Sequence, residues 1–232
     1  YATGMTPDEI EAMLTSLDWD TMFGASRFEF LNVRRKRDLR AYPSRFEFGL
    51  SKGIVPPPSL NNGQQVDLLL SRIAGAYYGI TNFDELPTPF RCVAVDLRRA
   101  EPVILRDGSL ARAMRATMSL PLVFPPVTMG ERVLVDGGAM NNIPADVVRG
   151  MGATRVIAVN VGELNTKEAI DFSLLGLAME TLDAMMRANT LRAVTSADVM
   201  INVPLSSYGS LDWRRAAALI KEGYAAARAR RD

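Results

Sequence analysis

Residues 132–161 constrain the fold more than any other stretch of the chain. R-V-L-V-D (132–136) is a short apolar strand ending in Asp136, followed by Gly137-Gly138 and a polar loop. Pro144 opens a helix that ends near Gly150-Met151-Gly152, and R-V-I-A-V-N-V (155–161) is a second apolar strand. Strands that are apolar almost throughout belong to a sheet covered on both faces. A helix between two of them supplies the crossover that a parallel pair needs. This unit predicts an α/β fold with a parallel component.

The remaining chain fits that class. Thr6-Pro7-Asp8-Glu9 is a helix start with a capping box, and Ile10, Met13 and Leu14 follow at helical spacing. Residues 23–60 are irregular, rich in Arg and Pro, and read as an excursion from the core. A helix is expected over 62–79. F-R-C-V-A-V-D-L (90–97) and E-P-V-I-L (101–105) should pair as a hairpin. Ser109 starts a short helix, L-A-R-A-M-R-A-T, and the proline-rich loop S-L-P-L-V-F-P-P-V follows. A long helix over 167–195, a strand at V-M-I-N-V-P and an Ala/Arg-rich helix over 211–230 complete the chain. In the last helix Ala217, Leu219, Ile220 and Tyr224 form an apolar face, expected to pack on the sheet rather than on lipid. No repeat, low-complexity segment or linker divides the sequence, so residues 1–232 read as one domain.

Composition removes several chemistries. The chain has no His, so neither a Ser-His-Asp triad nor a Cys-His pair can be assembled within it. One Cys and no His leave no thiolate or imidazole metal site, and a single thiol excludes an internal disulfide framework. Acid–base work falls to Asp, Glu, Lys or Tyr. A net charge of +1 gives no global field favouring nucleic acid. The local run V-R-R-K-R-D-L-R (33–40) reads as a solvated face, with attraction to anionic lipid headgroups as the alternative. No apolar run reaches the ~20 residues that span a bilayer.

Three glycine-containing stretches need weighing. G-L-S-K-G (49–53) has the letters of a serine nucleophile elbow. An elbow requires a helix directly after the serine, whereas I-V-P-P-P follows here, so Ser51 is judged a decoy in a hairpin turn. G-M-G-A-T-R (150–155) carries Arg155 in place of the third glycine of a dinucleotide fingerprint and precedes a strand instead of following one. It reads as a helix cap, which leaves a nucleotide-binding domain without a phosphate loop. V-L-V-D-G-G-A-M-N-N-I-P remains. Asp136 falls at the carboxyl end of a strand, where α/β proteins gather reactive groups, and the two glycines allow a tight turn and close approach. A general base and a plain Asp-Gly turn residue are both open readings of Asp136.

Four segments, in order, resemble the patatin-like phospholipase family: F-D-E-L-P-T-P-F-R-C-V-A-V-D (83–96), L-A-R-A-M-R-A-T-M-S-L-P-L-V-F-P-P-V (110–127), L-V-D-G-G-A-M-N-N-I-P (134–144) and G-A-T-R-V-I-A-V-N-V (152–161). Thr117 stands where the family often has Ser, and Asn160 where Asp is common. The Arg/Pro region followed by N-N-G-Q-Q is most similar to the bacterial branch, whose members occur inside the cell and at its outer membrane. The resemblance implies a three-layer α/β fold with a mostly parallel central sheet flanked by helices. It implies hydrolysis of phospholipid or other acyl-ester lipids by a Ser-Asp dyad without a cofactor, with Asp136 as base, Gly137 and Gly138 completing the DGG turn, and possible peripheral contact with a membrane. In the family the oxyanion loop and the G-x-S-x-G serine lie upstream of everything seen here. Tyr1-Ala2-Thr3-Gly4-Met5 is similar to the end of the nucleophile helix. The chain is thus expected to be the C-terminal majority of such a domain, without its first strands, its nucleophile and, by itself, activity. A non-catalytic lipid-binding scaffold on the same fold is the competing expectation.

Overall fold

A computed structural model describes residues 1–23, 49–50, 54–55, 59, 61–162, 172–193, 196–209 and 212–230. Helix α1 (Pro7–Ser16) begins as the sequence predicts. The Glu9 N–H donates to Thr6 Oγ1 at 3.3 Å, and the Thr6 N–H donates to Glu9 Oε2 at 2.8 Å. Helix α2 (Trp19–Phe23) follows. Strands β1 (Gly49–Leu50) and β2 (Ile54–Val55) pair antiparallel, as residues flanking a hairpin should; Ser51 itself, and the basic run 33–40, lie outside the described residues.

The centre of the fold is a four-stranded sheet in the order β4-β3-β6-β5, built from β3 (Cys92–Asp96), β4 (Glu101–Leu105), β5 (Val127–Met129) and β6 (Arg132–Asp136). All three pairings are antiparallel, with Val95 opposite Val135 and Ala94 opposite Asp136. The expected β3–β4 hairpin is present, from Cys92↔Leu105 to Asp96↔Glu101. The pairing of β6 differs from the crossover reading. Two hairpins occupy its neighbourhood: β3 takes one edge, and β5 returns through Gly130-Glu131 to take the other, with Gly130 at φ 60°. Gly at a positive φ is what a two-residue hairpin turn favours. An apolar run does not say which strand lies alongside. The parallel component is β7 (Ile157–Asn160) with β8 (Val199–Asn202), and β7 is not covered on both faces as its apolar run suggested: Ala158 and Asn160 are buried while Ile157 and Val159 are exposed.

Every residue of β3 is buried, which explains its unbroken apolar sequence up to Asp96. One sheet face packs on α4 (Leu110–Thr117), capped by Ser109 as expected, through Leu110, Ala113 and Ala116 at i, i+3 and i+6. Cys92, Ala94, Val103, Leu105 and Leu134 meet them from the sheet. Helix α3 (Gln64–Ala74) buries Val66 and Leu70 with Met22, Val123 and Phe124. The single turn α5 (Gly138–Asn141), helix α6 (Ala145–Gly150), the 20-residue α7 (Leu174–Ala193) and α8 (Ala216–Arg228) complete the described α-helices. On α8, Leu219 and Ile220 are half-buried and the helix contacts α1 and β8, while Tyr224 stays exposed.

Candidate active site

Strand β6 delivers Asp136 to the edge of the core and α5 begins two residues later. The Asp136 N–H donates to the Ser119 carbonyl at 3.0 Å, which ties the strand end to the proline-rich loop. On the side-chain side, the Gly138 N–H donates to Asp136 Oδ1 at 2.8 Å, closing an Asx turn. Among the described residues no hydrogen bond reaches Oδ2, so one carboxylate oxygen is fixed and the other is left to accept a proton. Burial pushes the carboxyl above the ordinary carboxylate range, and the Gly138 bond opposes part of that rise.

The two glycines serve different ends. Gly137 has φ −74° and ψ −20°, ordinary right-handed values, so backbone freedom is not why glycine stands there. Space is the reason: a Cβ would lie 2.2 Å from the carbonyl oxygen of Val93 in the central strand. That oxygen also accepts the Thr117 hydroxyl at 2.5 Å. A Cβ on Gly138 would meet Met186 Cε at 2.6 Å, Asn142 Oδ1 at 2.9 Å and Asp136 Oδ1 at 3.1 Å. The turn is thus held against β3 beneath and α7 above.

Helix α7 is bound to the turn by polar contacts that sequence reading did not identify. Asn142 Nδ2 donates to the fully buried Thr190 hydroxyl at 2.8 Å, and Asn189 Nδ2 donates to the Ala139 carbonyl. Thr190 in turn donates to the Met186 carbonyl at 3.0 Å. The one available signal was the polar pair Asn189-Thr190 in a helix otherwise rich in Leu, Met and Ala, and that pattern does not say what the pair faces. Asp136, Gly137 and Gly138 form one turn at the end of β6. Asn160 is buried at the end of β7, donating from Nδ2 to Asn202 Oδ1 at 3.1 Å and accepting from the Gly162 N–H at 3.0 Å. Among the described residues no group of three His, Cys, Asp or Glu side chains is placed to hold a metal ion. No helix among them is long and apolar enough to cross a membrane.

Several known proteins are similar to this chain in sequence. An uncharacterized NTE family protein of Mycobacterium tuberculosis is 30% identical over 199 residues, covering 75% of this chain and 33% of the relative. Human patatin-like phospholipase domain-containing protein 6 is 38% identical over 95 residues, covering 40% of this chain and 7% of that protein. The mouse patatin-like phospholipase domain-containing protein 7 is 37% identical over 91 residues, covering 38% and 7%. The chain therefore spans about a third of the mycobacterial relative and much less of the mammalian ones. A family model described as patatin-like phospholipase matches residues 1–149, well over half of the chain and inclusive of Asp136, Gly137 and Gly138. The chain belongs to the patatin-like phospholipase family.

Proposed function

We propose that this chain forms part of a lipid acyl hydrolase in which Asp136 is the general base of a Ser-Asp dyad. The serine and the oxyanion donors are assigned to sequence outside residues 1–232, and the substrate to a phospholipid or another acyl-ester lipid. The observation that carries this reading is the state of the Asp136 carboxylate: immobilised through Oδ1, unbonded at Oδ2, and made more basic by burial. A base of raised pKa is better matched to a hydroxyl proton at neutral pH. The serine O–H would pass its proton to Oδ2 as the oxygen attacks the ester carbonyl. Asp136 returns that proton to the departing alcohol. It then deprotonates the water that cleaves the acyl-enzyme and hands that proton to the released serine oxygen, and two oxyanions are stabilised on the way. Residues 1–232 supply no His that could relay the proton between the serine and Asp136.

The test is hydrolysis of a short-chain p-nitrophenyl ester by the intact protein and its Asp136→Asn variant. Asn keeps the oxygen that Gly138 bonds but cannot act as base, so turnover should fall roughly 10²–10⁴-fold. Wild-type turnover in Asp136→Asn would reject the assignment. Residues 1–232 alone should show no turnover, and activity that Ser51→Ala abolishes would restore Ser51 as nucleophile. The Asx turn alone would also account for Asp136 in a non-catalytic, lipid-binding scaffold. That reading predicts an intact wild-type protein that binds phospholipid vesicles and releases no fatty acid.

A further inference from the structure

Asp136 is connected to a buried cation that the proposed chemistry does not use. Its N–H is held by the Ser119 carbonyl, and Ser119 is fully buried. The Ser119 hydroxyl donates to the Arg115 carbonyl at 2.8 Å and accepts from Arg115 Nη1 at 2.7 Å. Arg115 is only 5% exposed. Its Nε lies 2.9 Å from Asp67 Oδ1 on α3, but the N–H is not aimed at that oxygen and finds no other acceptor. The guanidinium carbon sits 4.7 Å from the centre of the Phe124 ring. Room for the fork comes from Gly63, at φ +75°, where a Cβ would lie 2.3 Å from Nη2.

A buried guanidinium with one misaligned ion-pair partner is a poor source of stability, and an apolar side chain of similar volume fills such a site at lower cost. Burial even works against its charge, with Asp67 offsetting only part of the effect. What the fork does provide is geometry. It fixes Ser119 by a planar donor while Asp67 holds its other side, and a lysine could not span both. Ser119 then sets where the backbone of Asp136 ends.

We propose that Arg115 is a positioning residue for Asp136, acting through Ser119: the guanidinium clamps the Ser119 side chain, and the Ser119 carbonyl locks the backbone from which the carboxylate projects. This rests on the reading of Asp136 as the base. A carboxylate displaced by about 1 Å costs on the order of 10²-fold in rate. Arg115→Met and Ser119→Ala in the intact protein should each lower kcat about 10- to 100-fold, with KM within about twofold of wild type. Hydrogen–deuterium exchange should accelerate in the peptide covering 132–141 and stay unchanged over 157–160. Ser119→Ala is the smaller change and decides the matter if Arg115→Met does not fold.

Wild-type kcat in a folded variant overturns the inference, and so does exchange that rises equally over both peptides. An inactive Asp136→Asn alongside fully active Arg115→Met and Ser119→Ala removes this inference and leaves the dyad standing. An active Asp136→Asn removes both.

Discussion

Gly137→Ala tests why the turn after β6 needs glycine. The backbone there is in the right-handed region, which alanine adopts freely, so conformation predicts no penalty. Contact predicts a large one. The new Cβ would lie 2.2 Å from Val93 O and 2.6 Å from Val93 C, against an ordinary carbon–oxygen contact of about 3.3 Å. Relief requires roughly 1 Å of movement, and the obstacle is backbone. Val93 is 4% exposed, paired with Ile104, and its oxygen already holds the Thr117 hydroxyl. Overpacking of a rigid site costs up to about 3 kcal/mol. At roughly 2–4 °C per kcal/mol for a chain of this size, Tm should fall by about 6–12 °C. Gly150→Ala is the control, because nothing lies within 4 Å of a Cβ at that position and the residue ends α6. Thermal denaturation followed by circular dichroism compares the two. Gly138→Ala should fall between them in stability, since it meets the ends of side chains, yet it presses on Asp136 Oδ1 and should depress turnover. A Gly137→Ala protein melting within about 2 °C of wild type would refute the steric argument.

Two further outcomes follow from titration. Burial raises the Asp136 pKa above its unfolded value, so its contribution to stability is fully present below the unfolded carboxyl pKa and lost as pH rises through the folded one. Urea denaturation should therefore find Asp136→Asn more stable relative to wild type near pH 7 than near pH 4; the opposite trend would contradict the desolvated carboxylate. Cys92 is buried against the Ala113 carbonyl and its thiol is pushed up to about 12. At pH 8 only about one thiol in 10⁴ is then the reactive thiolate, so iodoacetamide should label the folded protein slowly and the unfolded protein at once. Stoichiometric labelling of folded protein within minutes would place that thiol elsewhere.

Local rules made much of this protein legible in its sequence. The Thr6 capping box and the Ser109 cap depend on contacts between residues a few positions apart, the β3–β4 hairpin on a short turn and the strand 132–136 on its own apolar run, and all are present. The absence of His and the D-G-G stretch at a strand end single out Asp136 in the sequence itself. Strand β5 was not legible, because V-T-M reads as the tail of a proline-rich loop until Gly130 turns it back onto β6.

Tertiary structure decided the remainder, and the reason is common to each case. An apolar run marks a strand, but its edge partners depend on which other strands the packed chain brings alongside it. That is why β6 lies antiparallel between β3 and β5, and the parallel pair is β7 with β8. The need for Gly137 lies in the approach of Val93, 44 residues away by number and absent from any local pattern. Arg115 and Ser119 come from one segment and Gly63 and Asp67 from another, and the polar side chains of Arg115 and Ser119 look like ordinary surface ones in the sequence. Only folding removes them from water, and a buried charge then has to find its partners wherever the packed elements bring them.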